Sequence, residues 1–179
     1  MTIPHENESR VDTRPGAMAN LHRVMSTAPV MDQTLRQLRR DIDEHCGLDQ
    51  ETRELVFLRV ALLRHSEYAW HNHAMEARGL GIEDPEITAL EHWRSSERVH
   101  FDARERAILG YVDSVVNGTV SENTYRLLAE ELSPSEIVGL TLLIGLAWTE
   151  TALAAGMGLE TEEPFVGWEL FRGRRVATL

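Results

Sequence analysis

Cysteine is nearly absent from this chain, with Cys46 standing alone among 179 residues. A single thiol excludes an intramolecular disulfide and any metal or redox site built on a cysteine pair, and leaves Cys46 the role of a small apolar packing residue. Positive charge is scarce as well. Lys and Arg total 18 against 29 Asp and Glu, a formal net charge of −11, which argues against nucleic acid and anionic membrane as general partners. Long apolar runs are missing. The most apolar stretch, Ile137 to Trp148, is interrupted by Thr141 and falls short of the ~20 residues that cross a bilayer. The polar N-terminus MTIPHENESRVDTRPG carries no export-type apolar block, so a cytoplasmic protein is expected. No stretch shows convincing strand alternation, and the expected fold is therefore an all-α, single-domain bundle of about six to eight helices.

The useful chemistry is concentrated in one stretch, Glu54 to Gly79, ELVFLRVALLRHSEYAWHNHAMEARG. Leu55, Leu58, Val60, Leu62 and Leu63 read as one face of a helix running back to about Asp49. His65 and Ser66 interrupt that run. Ser66 can cap a second helix, which Gly79 and Gly81 would stop. In it, Ser66, Ala69, Trp70 and His73 are spaced to share a face, whereas Glu67, His71 and Arg78 point elsewhere.

This stretch resembles the alkylhydroperoxidase D and carboxymuconolactone decarboxylase superfamily, whose motif is a Glu, eleven residues, then Cys-x-x-Cys-x-x-x-His. Glu54 stands at the Glu position and His73 at the final His, while Ser66 and Ala69 replace the two cysteines and Tyr68 holds a position between them. The resemblance implies that the peroxidases use the Glu and His to activate a cysteine thiolate. A serine hydroxyl and an alanine methyl cannot cycle through a disulfide, so a thiol redox couple is not expected here. The resemblance covers roughly Asn20 to Leu159, and includes the segment Asp102-Ala-Arg-Glu-Arg-Ala and a late apolar helix. It implies small helical protomers assembled into dimers, trimers or hexamers, so a homo-oligomer is expected.

Taken in order, residues 1–17 read as a flexible arm, 18–159 as the helical domain and 160–179 as a tail with a short helix around Trp168 to Phe171. Within the domain, Ala19 to Ala28 reads as a helix stopped by Pro29, and Met31 to His45 as an amphipathic helix with Leu35, Leu38 and Ile42 inward and Gly47 after its end. Pro85 opens a helix leading to His92, and Asp102 one that ends at Asn117-Gly118. Ser121 caps Glu122 to Leu132. Ser133-Pro134-Ser135-Glu136 opens the last long helix, which Gly156 and Gly158 terminate. The apolar run in that helix suits either a core or a subunit contact.

Each candidate residue has a structural reading beside its chemical one. Glu54 is a general base or an orienting partner for His73, or else a helix N-terminal acid paired with exposed Arg53 and Arg59. His73 moves a proton near neutral pH, or is a core histidine bonded to a carbonyl. Tyr68 donates to a substrate oxygen or packs. Ser66, Ala69 and Trp70 line a pocket in the chemical reading. Arg53, Arg59 and Arg64 could receive an anionic substrate, or be solvated surface arginines. His71 and His73 diverge by ~200 degrees on a helix, and no carboxylate-rich metal motif accompanies them, so no metal or other cofactor is expected. Ser66 and His73 lie ~10 Å apart along a helix axis, too far for a serine hydrolase pair, and the nucleophile-elbow glycines are missing. The expected activity is non-redox acid–base chemistry on a small carboxylated lactone or related carbonyl acid. Its catalytic residues would be Glu54, His73 and Tyr68. The alternatives are a helical binding or oligomerisation module and, with poor chemistry, residual peroxidase activity.

Overall fold

The computed structural model describes residues 18–96 and 100–161. The N-terminal arm and the short helix expected near Trp168 lie outside them. The described residues form eight α-helices and no strand: α1 (Ala19–Met25), α2 (Pro29–His45), α3 (Gln50–Leu63), α4 (Glu67–Leu80), α5 (Asp84–Ala89), α6 (Ala103–Val116), α7 (Glu122–Glu131) and α8 (Pro134–Met157), with a 3-10 turn over Leu90–His92 after α5.

Most helix starts are written in single residues. Asp49, Ser66, Asp102, Ser121 and Ser133 each accept a main-chain N–H from the first turn of the helix they precede, which satisfies donors that no helical carbonyl can reach. Asp102 and Ser133 complete capping boxes with Glu105 and Glu136. Pro29 behaves differently from the expectation. It occupies the first turn of α2, where its missing N–H costs nothing, while α1 has already ended at Met25. Gly79 and Gly156 are helical residues, and the stops fall at Gly81 and Gly158, whose φ values of 98° and 60° suit a residue without a Cβ.

The α3–α4 hairpin is the centre of the bundle, with α6 and α8 packed against α3. Two large apolar clusters result. One joins Val56, Phe57 and Val60 of α3 to Val112 of α6 and to Leu140, Leu143 and Ile144 of α8. The other joins Leu55 and Leu58 to Trp70, Trp93, Phe101 and Leu109. α8 divides the apolar run between two roles. Ile137, Leu140, Leu143, Ile144, Leu146 and Ala147 are core, while Val138, Leu142, Trp148 and Met157 face outward, and from Ile137 to Met157 its sole charged side chain is the buried Glu150.

One glycine sets the α2–α8 approach. A Cβ on Gly139 would lie 2.7 Å from both Cα and O of Cys46 at the end of α2, whereas one on Gly145 would meet nothing within 4 Å. Alanine in place of a helical glycine favours the helix by up to about 1 kcal/mol, but overpacking against main chain costs roughly 1–3 kcal/mol. Gly139→Ala should therefore lower stability in urea denaturation, and Gly145→Ala should leave it unchanged or raise it.

Candidate functional site

Glu54 and His73 come from the two arms of the hairpin and meet inside it. Glu54 lies about one turn into α3 and His73 near the middle of α4, so Asp49 and Ser66, by fixing where each helix begins, fix the facing of both. Glu54 Oε2 lies 2.7 Å from His73 Nδ1. On the other side of the ring, Nε2 lies 3.3 Å from Oε2 of Glu150 on α8, whose second oxygen accepts a 2.7 Å hydrogen bond from Arg39 Nη1 of α2. Phe57, one turn beyond Glu54, stacks on the imidazole with ring centroids 4.0 Å apart and planes 7° from parallel. Arg39 Cζ sits 5.0 Å from the Phe57 centroid. Four helices thus converge on one imidazole.

The electrostatics follow from that geometry. Burial by itself pulls the His73 pKa down, but the Glu54 charge, hydrogen bonds to Glu150 and Glu54, and the Glu150 charge together raise it to about 9. At neutral pH the ring is an imidazolium, and both of its N–H groups donate to carboxylates. Burial pushes Glu150 toward the neutral form, yet the Arg39 charge and the contact with His73 hold its pKa below the usual carboxylate value. Two acids and two cations therefore form a balanced chain. It runs from the buried Glu54 and His73 to Arg39, whose side chain is 34% exposed.

The remaining candidates lie elsewhere in the packing. Ser66 is the α4 cap, its Oγ accepting from Ala69 N–H. Ala69 and Trp70 belong to the apolar cluster with Leu55 and Leu58, so they are core side chains on this structure. Tyr68 is buried, and its Oη accepts from Leu21 N–H at 3.0 Å. Of the three arginines near the motif, Arg53 bonds Leu48 O, Arg59 pairs with Asp113, and Arg64 lies over Trp148. None of these partners belongs to the His73 network, and the arginine that reaches it is Arg39. Neither Arg39 nor Glu150 stands out in the motif. Glu150 carries a signal all the same, as the one ionisable residue between Ile137 and Met157. Arg39 is masked by Arg36 and Arg40 on an amphipathic helix.

A pH dependence follows. The folded pKa of about 9 lies above the ordinary 6.5, so the stability that His73 contributes is complete below about pH 6.5 and is lost as pH rises through 9. The contribution is on the order of 3 kcal/mol. The urea midpoint should fall between pH 6.5 and 9, and His73→Gln should flatten that slope; an unchanged slope in the variant would place the titration elsewhere.

Residues 29–114 match the carboxymuconolactone decarboxylase family. That segment includes Arg39, Glu54 and His73, and ends before Glu150. A protein of unknown function from Agrobacterium tumefaciens, ascribed to AhpD-type antioxidant defence, shares 25% identity and superposes with a TM-score of 0.72, covering 78% of this chain and 95% of its own. The debrominase Bmp8 superposes at 0.70 with 14% identity over 86% of this chain and 80% of its own. A peroxidase-related protein from Silicibacter sp. TM1040 does so at 0.64 with 16% identity over 75% and 72%. Among curated proteins none matches by sequence. The matched segment, the shared fold and the motif spacing make this chain similar to the carboxymuconolactone decarboxylase and alkylhydroperoxidase D-like superfamily, with Ser66 and Ala69 in place of the Cys-x-x-Cys pair.

Proposed function

We propose that the chain is a non-redox acid–base enzyme of the carboxymuconolactone decarboxylase type, acting on a small carboxylated lactone or a related carbonyl acid. The observation that carries this reading is the imidazolium of His73 held between Glu54 and Glu150. Burying such a chain costs several kcal/mol per ion before mutual attraction offsets it, and apolar side chains would fill the same space at less cost. A titratable group with a shifted pKa beside charged partners is a common mark of proton-transfer sites.

The chemistry would use that store of protons. Breaking the C–C bond to the carboxylate releases CO₂ and leaves an electron pair, which delocalises into the adjacent carbonyl as an enolate. A proton must then reach carbon. His73 supplies it, through the carboxylate of Glu54 or Glu150 because both ring nitrogens are engaged, and Arg39 keeps Glu150 ionised between turnovers. Tyr68 would stabilise the enolate oxygen by donating its hydroxyl proton in a hydrogen bond. One neighbour of the same fold, a cysteine-to-alanine variant of Bmp8, is complexed with 2,3,4-tribromopyrrole, a precedent for a small ring in this scaffold.

A second reading, a helical oligomerisation module, is favoured by the outward face of α8. Val138 is 60% exposed, Leu142 49% and Met157 58%, and a shallow groove of about 450 Å³ is lined by Gly145, Trp148, Thr149, Ala152, Leu153 and Met157. An uncharged helix face on a chain of net charge −11 suits a second copy of the same chain.

Three experiments test these readings. Small carboxylated lactones and β-keto acids should release CO₂ with the wild-type chain. His73→Ala should reduce the rate at least 100-fold, on the scale of lost general acid–base catalysis, under conditions where circular dichroism shows the less stable variant still folded; turnover unaffected by the substitution would remove His73 from the reaction. Thiol-dependent hydroperoxide turnover should be absent. Independently, Leu142→Glu should shift the sedimentation of the native assembly to the monomer, and an unshifted profile would dismiss α8 as the contact.

A further inference from the structure

Arg59, one of the three arginines beside the motif, belongs to a second polar site. It stands five residues after Glu54 on α3, which turns it ~140 degrees round the helix from that carboxylate, toward α6 and the chain that follows α5. There the buried Asp113 of α6 accepts from three donors. Arg59 Nε lies 2.7 Å from Oδ1, while Trp93 Nε1 and Arg94 Nη2 lie 3.1 Å and 3.0 Å from Oδ2. Arg59 Nη1 donates separately to Leu90 O at 2.8 Å. Beside these groups is a hollow of about 200 Å³, lined by Arg59, Glu91, His92, Trp93, Arg94 and Ser95.

The cations here outnumber the carboxylate they hold. Arg59 and Trp93 already give each oxygen of Asp113 a donor, so Arg94 is surplus to pairing it. Two guanidiniums on one carboxylate leave one positive charge in excess, on a chain of net charge −11. Arg94 is nevertheless fixed in place. Its side chain is 63% exposed, yet Cζ sits 4.3 Å from the centroid of the Trp93 ring, a cation–π contact that orders the guanidinium before any ligand arrives and so removes a cost of binding. The turn that carries it is held by Arg106, which donates to Trp93 O at 2.8 Å and Ser96 O at 2.9 Å. A guanidinium has five N–H donors. Asp113 takes one from each arginine and Leu90 O takes another, which leaves Nε and Nη1 of Arg94 and Nη2 of Arg59 without an acceptor among the described residues.

We propose that this hollow binds a small monocarboxylic acid, whose carboxylate bridges Arg59 and Arg94. A planar carboxylate matches the guanidinium fork, and the space is below the ~300–1,000 Å³ of sites that take drug-sized ligands. Glu91 selects the charge of the ligand. Its carboxylate shares the lining, with His92 Nε2 4.0 Å away, and it repels a doubly charged head about twice as strongly as a singly charged one, which favours a carboxylate over a phosphate dianion. The site is built on another face of α3 from Glu54 and uses none of the His73 network, so it stands apart from the acid–base reading above.

Nuclear magnetic resonance tests it without any assay of activity. Titration of the full chain with sodium acetate should shift the Trp93 indole N–H and Arg94 Nε–H signals saturably in the millimolar range, whereas sodium chloride at matched ionic strength should not. Arg94→Ala should weaken acetate binding at least tenfold, the scale of one hydrogen bond to a charged group, and Arg94→Lys should restore only part of it, since an ammonium lacks the planar fork. Arg64→Ala, an arginine outside the hollow, should change nothing. Glu91→Gln should tighten acetate binding about threefold. Equal shifts with chloride, or acetate binding unchanged in Arg94→Ala, would overturn the site. Inorganic phosphate binding more tightly than acetate above neutral pH, or no gain in Glu91→Gln, would overturn the assignment of a monocarboxylate.

Discussion

A cation buried between two carboxylates dictates how four helices can sit. Arg39, Glu54, His73 and Glu150 come from α2, α3, α4 and α8, and their charges balance only while all four are in contact. Removing one member leaves an uncompensated charge in a medium that solvates it poorly, which typically costs 3–5 kcal/mol. Turning any of these helices by one residue swings its charged side chain by ~100 degrees into apolar surroundings. The network thus selects one rotation of each helix from several that apolar packing would tolerate. Phe57 couples that choice to the core, since its ring stacks on His73 and lies beside Arg39 while it also belongs to the cluster with α8.

Much of this arrangement is legible in the chain because it is locally encoded. Asp49, Ser66, Asp102, Ser121 and Ser133 announce their helices through the side-chain oxygen each presents, and the meeting of Glu54 with His73 follows from the length of one hairpin. What is not legible depends on contacts distant in sequence. Glu150 reaches His73 across 77 residues, and nothing near it says which histidine it faces. Arg39 has the same spacing to Arg36 and Arg40 that a solvated surface would have, and only the packing of α2 against α8 distinguishes it. Pro29 illustrates a third difficulty. Proline both ends and begins helices, and the choice depended on α1 having already stopped at Met25. Trp70 and Ala69 share the motif's spacing, yet they face an apolar cluster, because α4 is buried on nearly every side and periodicity cannot say which buried face holds the chemistry.

The motif changes alter what the site can transfer. With Ser66 engaged as a helix cap and Ala69 packed in the core, the positions that would carry thiols each have a part in the fold. The acid and the imidazole of the motif remain, in contact with each other. Electron transfer to a peroxide requires a thiolate that the motif no longer contains. A label taken from the superfamily's peroxidase members would therefore rest on a thiol pair that this motif lacks.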